Sequence, residues 1–322
     1  MRIHSRSRLA PAVLLACVAP AIAQTGDTQQ IADPAFKPAI EKPAYARTHP
    51  LVVLDEAHEN FHTVSGRYKP FADLLHADGY HVSAGTQAFT AQGLSGMQVL
   101  VIANALGAGF GPANRENPPS AFTDAECDAV RDWVRSGGAL LLIADHSPFG
   151  ATAAHLAARF GVEMGKGYAW AVTGNSREPS TTIEYSRDNS LLGDHPITRG
   201  VTRVVTFTGQ SLSVPAGAAA LLKFGVAYES PAATAEADIA AFRSGKPTNA
   251  RSLTNRAQAI AFDYGKGRVV MTGEAAMFSA QVIRFTDAQG RVTENKMGMN
   301  VAGNDNQTFL LNILHWLTKL DH

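Results

Sequence analysis

The chain is short of cysteine, of charge and of any imbalance of charge. Of its 322 residues only Cys17 and Cys127 are cysteines. Cys17 falls in a leader that the sequence marks for removal, and one remaining thiol cannot close an internal disulfide, so the core must hold the fold. Charged residues make up 17%, below the ~25% usual in soluble domains. Basic and acidic residues number 28 each, so there is no basic excess of the kind a nucleic-acid binder carries. Past the leader no uninterrupted apolar stretch approaches the ~18 residues of a spanning helix. What is abundant is apolar residue, 45% of the chain, enough for a sizeable core.

The leader carries Arg2, Arg6 and Arg8 ahead of an apolar stretch over 9–22, then Ala21-Ile22-Ala23. A positive start, a short apolar middle and a small-x-small end are the marks of a signal peptide. Residues 1–23 are therefore expected to be removed, giving a secreted or periplasmic protein with a net charge of −3. Lipidation at Cys17, within Leu14-Leu15-Ala16-Cys17, is the competing reading. Residues 24–49 (Pro34, Pro38, Pro43) show no apolar period and read as an extended leader over the surface. Residues 50–322 read as a single α/β domain.

Within that domain, short apolar runs at 51–54, 81–83, 99–103 and 139–144 alternate with helical spacing at 68–76, 123–135 and 151–160. Continuous apolar runs of this length suit strands covered on both faces. The order predicts a mostly parallel sheet with helices on both sides. Thr123-Asp124-Ala125-Glu126 is a capping box. The second half is more mixed, with strands at 201–208 and 218–224, a hairpin over 257–271, an excursion at 231–249 and a closing helix over 309–320.

Ligands of open parallel sheets bind beyond the carboxyl ends of the strands. The residues that follow the strands are Asp55-Glu56-Ala57-His58-Glu59-Asn60-Phe61-His62, Asp145-His146-Ser147-Pro148 and Gly273-Glu274-Ala275. A strand running straight into a turn and a helix projects one side chain over the sheet edge, and here that residue is His146. His146 is the candidate general base, Asp145 its partner and Glu274 a second acid. Glu56, Ser147, Gln210 and His195 are candidate substrate contacts. His58-Glu59-Asn60-Phe61-His62 matches the HExxH spacing, so on a helix Asp55, His58 and His62 could hold zinc or manganese. The same residues have plain structural readings: Asp145 and Glu274 as helix caps, the histidines as loop hydrogen-bonders, and Cys127 as a buried small residue.

The strand-elbow-helix at 139–160, Asp194-His195-Pro196-Ile197-Thr198-Arg199-Gly200 and Gly273-Glu274-Ala275 together resemble the class I glutamine amidotransferase-like superfamily, in its trehalose-utilisation-like branch and related secreted families. The resemblance implies a doubly wound, flavodoxin-like sheet with a mixed C-terminal part. Amidotransferases of that superfamily put Cys at the elbow and a His-Glu pair late in the chain. Asp145-His146-Ser147 and the absence of His-x-Glu near Glu274 depart from this, which puts thiolate chemistry out of reach. A carbohydrate ligand near His146 is what the branch implies. Three functions follow: a hydrolase or sugar-modifying enzyme, a non-catalytic binding module using Tyr168, Trp170 and Phe278 for stacking, or a serine esterase through Ser147. The last lacks a Gly-x-Ser-x-Gly pattern.

Overall fold

The apolar runs Leu51–Asp55, Val99–Ala103 and Ala139–Ile143 lie side by side in a seven-stranded sheet. The computed structural model describes residues 27–172, 178–287 and 289–320. The expected signal peptide at 1–23, with Cys17, lies outside them. The sheet order is Ala219–Lys223, Ala257–Tyr264, Gly267–Thr272, Ala139–Ile143, Val99–Ala103, Leu51–Asp55 and His81–Gly85. From Gly267–Thr272 to His81–Gly85 every pairing is parallel, and the two remaining strands are antiparallel.

Alternation along these strands explains their uninterrupted apolar sequence. Leu141, Ile143, Val101 and Val270 pack with Leu75 of helix Lys69–Ala77 and Ile313 of helix Asn306–Leu317. Leu140, Leu142, Leu100 and Met271 pack with Val130 of helix Asp124–Arg135 and Leu156 of helix Phe149–Ala158. Each face has its own apolar cover, so neither parity of residue is polar. Among the described residues no helix is long and apolar enough to cross a membrane.

The capping box forms as spelled. Thr123 Oγ1 accepts from Glu126 N at 3.3 Å, and Thr123 N donates to Glu126 Oε2 at 2.9 Å. Thr123→Ala is expected to cost about 1 kcal/mol in a urea unfolding experiment. A loss below about 0.3 kcal/mol would show that Glu126 secures the helix start alone. The hairpin also forms, turning at Gly265-Lys266, where Gly265 takes a φ of 61° that a side chain would strain.

Two segments differ from expectation. Within the leader, Asp27–Ala32 is a strand, antiparallel to Ala280–Thr286, which also pairs with Val292–Gly298. Backbone pairing and a Gln30–Gln281 amide bond of 2.8 Å carry it, so no apolar period announces it. The 231–249 excursion contains helix Ala235–Arg243. Its alanines favour helix, Glu236 and Asp238 lie in the first turn and Arg243 in the last, as the helix dipole prefers. Phe242 ties it to Trp170 and Tyr228.

Candidate functional site

From Leu51–Asp55 the chain steps outward to His81–Gly85, then crosses back to Val99–Ala103. Ligands of open parallel sheets bind beyond the carboxyl ends of strands where the order changes direction, here between the first and third of these strands. Loop residues from several strands meet there. Asn104 has a φ of 52° and a buried side chain, and it stitches them together. Its Oδ1 accepts from Asp145 N at 2.9 Å, and its carbonyl accepts from Phe61 N at 2.9 Å. The 55–62 and 145–149 segments thus share one rim, and the rings of Phe61 and Phe149 lie 5.6 Å apart.

Beneath the rim lies an acid pair. Asp145 follows Ala139–Ile143 and Glu274 follows Gly267–Thr272, adjacent parallel strands in register from Ile143 to Thr272. Both carboxyls are buried. Burial raises each pKa above its ordinary value, most strongly for Glu274, which the charge of Asp145 pushes up further. The charge of His146 and its backbone N–H, at 2.7 Å from Asp145 Oδ1, restrain the rise of Asp145. Burial thus favours the protonated form of both carboxyls, and more strongly that of Glu274. Glu274 also caps the 3-10 turn Ala276–Phe278, accepting from Ala276 N at 2.7 Å and Met277 N at 2.8 Å.

Aromatic rings surround the pair. Tyr68 is buried in the field of both carboxyls and donates to the Ala275 carbonyl at 2.7 Å. The His62 ring stacks on Tyr68 at 4.3 Å and 14°. Its Nδ1 is buried and has no hydrogen-bond partner among the described residues. Burial, then the charge of Arg67, lowers its pKa to about 3, so the ring is neutral. His146 stacks on Tyr168 at 4.4 Å, and its Nδ1 faces the Ser147 carbonyl at 2.9 Å. A nitrogen facing a carbonyl is the protonated one, so in the neutral ring Nε2 carries the basic lone pair.

Other expected site residues go elsewhere. Residues 56–68 are not helical, and Glu59 takes a φ of 50°, so the HExxH spacing never becomes one helix face. His58 turns Nδ1 to Asp55 and Nε2 to Glu126, each at 2.9 Å, while His62 joins Tyr68. Among the described residues no three His, Cys, Asp or Glu side chains group to hold a metal, and Asp55 and His58 face each other while His62 turns to Tyr68. Glu56 closes its own loop, accepting from Val64 N at 2.7 Å. Gln210 is buried, bridging Gly165 N and the Ala144 carbonyl. Ser147 is mostly buried, and its backbone N–H donates to the Gly167 carbonyl at 3.1 Å. His195 accepts from Ile197 N and packs on Trp316, over which the Arg268 guanidinium also lies. Arg268 begins the strand that Glu274 follows, so His195 lies at the opposite end of the sheet from the acid pair. Trp170, Phe278 and Tyr168 are all buried, and the His146 ring covers a face of Tyr168, so none of the three presents an open stacking face.

Asn104, Tyr68, Phe61 and Phe149 were not expected at the site. Asn104 carried a usable signal, a polar residue immediately after an apolar strand. Two surface clefts, of about 470 Å³ around Arg187, His195 and Arg199 and about 360 Å³ between Leu51–Asp55 and residues 83–97, exclude Asp145 and Glu274.

No protein-family model matches the chain, and no curated protein matches it in sequence. Solved structures do. The N-terminal domain of mmIFT52 superposes with a TM-score of 0.55 at 16% identity, over 84% of this chain and 99% of that one. A ThuA-like protein from Bacteroides uniformis aligns at 13% identity and a TM-score of 0.44, over 88% and 96% of the two chains. Another, from Parabacteroides merdae, aligns at 13% identity and 0.41, over 84% and 90%. At such identities the similarity is one of fold alone, a mixed α/β architecture around a large sheet with a parallel centre.

Proposed function

We propose that the chain is an exported, doubly wound protein of the glutamine amidotransferase-like, trehalose-utilisation-like kind that has no thiolate nucleophile. In this reading it is a hydrolase or sugar-modifying enzyme for a small, polyhydroxylated substrate. The observation that carries the reading is the acid pair: two buried carboxyls at adjacent strand ends, both pushed toward the protonated form, Glu274 the more strongly. A protonated acid beside an ionised one can give a proton to a leaving oxygen and take one from water. His146 Nε2 is a second acceptor at the rim, and the exposed ring of Phe61 is the aromatic surface there on which a sugar can stack. Export rests on residues 1–23, and the carbohydrate on the resemblance of the elbow.

One observation favours a non-catalytic module instead. Both Glu274 oxygens already accept backbone N–H bonds, the arrangement of a cap. A screen of glycosides and small esters separates the two. Asp145→Asn keeps an acceptor for the His146 N–H and should lower turnover by about 100-fold or more, the usual scale for a lost acid or base. His146→Ala should do likewise, both with little change in melting temperature. Full turnover in both variants would overturn the enzymatic reading. Ligand binding with no product would establish the module.

A further inference from the structure

We propose that the Val292–Gly298 strand is a contact edge for a second copy of this chain, the two strands pairing antiparallel about a two-fold axis at Asn295. Among the described residues this strand is the outer member of a three-stranded sheet, paired on one side with Ala280–Thr286 and on the other with no strand. Residues 292–296 are all exposed. Such an edge presents a row of backbone N–H and C=O groups, and proteins usually blunt it with a bulge, a proline or a covering element. Among the described residues none of these guards 292–296. The register with Ala280–Thr286 runs from Val292 to Gly298 without a shift, and the strand holds no proline. The other edge of the sheet, Asp27–Ala32, is partly taken, since Arg67 Nε donates to the Gln30 carbonyl at 3.0 Å.

The charges on the edge choose the partner. Glu294 and Lys296 stand two residues apart and so share one face of the strand. Residues directly opposite each other in an antiparallel pair either both turn their backbone groups to the partner or both turn them away. A two-fold axis between two copies of this strand must therefore pass through a residue position. An axis at Glu294 or at Lys296 sets like charges face to face, and one at Thr293 sets Glu294 against Val292. An axis at Asn295 sets Glu294 of each copy against Lys296 of the other, and Thr293 against Met297. That match extends a row already present within the chain, where Arg284 Nε lies 2.9 Å from Glu294 Oε2 and Lys296 Nζ lies 3.7 Å from Asp33 Oδ2. Across the seam the row runs from Arg284 and Glu294 to Lys296 and Asp33 of the second copy, alternating in sign. An unrelated strand would not match both charges, so the residues that deter indiscriminate pairing admit a copy of this chain.

Sedimentation equilibrium over a concentration series, with single charge reversals, tests this. The parent should form a dimer. Glu294→Lys and Lys296→Glu should each dimerise about tenfold or more weakly, because each sets two like-charged pairs across the seam where two opposite pairs stood. Mixed in equal amounts, the two variants should recover a dimer of parental strength, one strand then carrying only positive charge and the other only negative. Both substituted side chains are exposed, so each variant should keep the parent's fold, which its melting temperature checks. Recovery in the mixture separates a mismatched seam from any general loss of association. A parent still monomeric at about 0.5 mM, a reversal that leaves the dimer at parental strength, or a mixture of folded variants that does not recover it would overturn the proposal.

Discussion

Replacing Glu229 by Gln is expected to cost about 3–5 kcal/mol of folding stability, close to the cost of Ala. The carboxylate is buried and receives four donors. Oε1 accepts from Lys166 N at 2.9 Å and Gly167 N at 3.1 Å. Oε2 accepts from Ser211 N at 2.9 Å and Ser211 Oγ at 2.6 Å. A carboxylate has acceptor sites on both oxygens, whereas an amide has them on one. Either rotamer of Gln would aim its NH₂ at one of these donor pairs, leaving a backbone N–H facing another N–H without water. The site has no slack to relax into, because a Cβ on Gly165 would already strike the Glu229 carboxyl. Global stability of domains is about 5–15 kcal/mol, so the variant should unfold at a far lower urea midpoint. A loss under about 1 kcal/mol would show that the Gly165–Tyr168 segment is held by something other than this carboxylate.

The consequence reaches the candidate site by a short route. Glu229 fixes Gly167, whose carbonyl receives Ser147 N, and the next residue, Tyr168, donates to the Ser147 carbonyl at 3.2 Å and stacks on His146. The elbow is thus braced by a carboxylate on a strand outside the central sheet. Conservative substitution at Glu229 should lower ligand binding at His146 as well as stability.

How much of this was legible in the sequence depended on the range of the interaction. Strands covered on both faces betray themselves as apolar runs, and Asp55, Asp145 and Glu274 lie at the carboxyl ends of three of them. The capping box is a four-residue motif and formed as written. Tyr68 and Phe61 join the site because the 56–68 loop folds over the sheet edge, which no periodicity records. The HExxH spacing failed for a local reason: its premise is a helix, and Glu59 in the left-handed region ends any helix there. Glu126 shows the limit most clearly. Its cap role lies within four residues, but its second role depends on His58, 68 residues away.

That second role predicts the other large effect. Glu126→Ala should cost about 3–5 kcal/mol and change how stability depends on pH. His58 lies between Phe89 and Phe122 with both ring nitrogens turned to carboxylates, so both must donate, and the ring is an imidazolium. Burial alone would lower its pKa, but the hydrogen bond and charge of Asp55, then those of Glu126, outweigh burial and raise it above 6.5. Burial pushes Glu126 up, but the bond from His58 and those from Thr123 bring it down to about 2. The two shifts act at opposite ends of the pH scale. A raised histidine contributes stability in full below its ordinary 6.5 and loses it as pH rises through the folded value. A lowered carboxylate contributes in full above its ordinary 4.5 and loses it as pH falls toward about 2. The pair therefore supports the fold best between those two ordinary values. In Glu126→Ala the acid limb belonging to Glu126 disappears, and the alkaline loss moves to lower pH because Asp55 alone holds the proton on His58. Urea unfolding at intervals from about pH 3 to about pH 9 reads both changes. An alkaline limb at the same pH in parent and variant would mean that Glu126 does not help to hold a proton on His58.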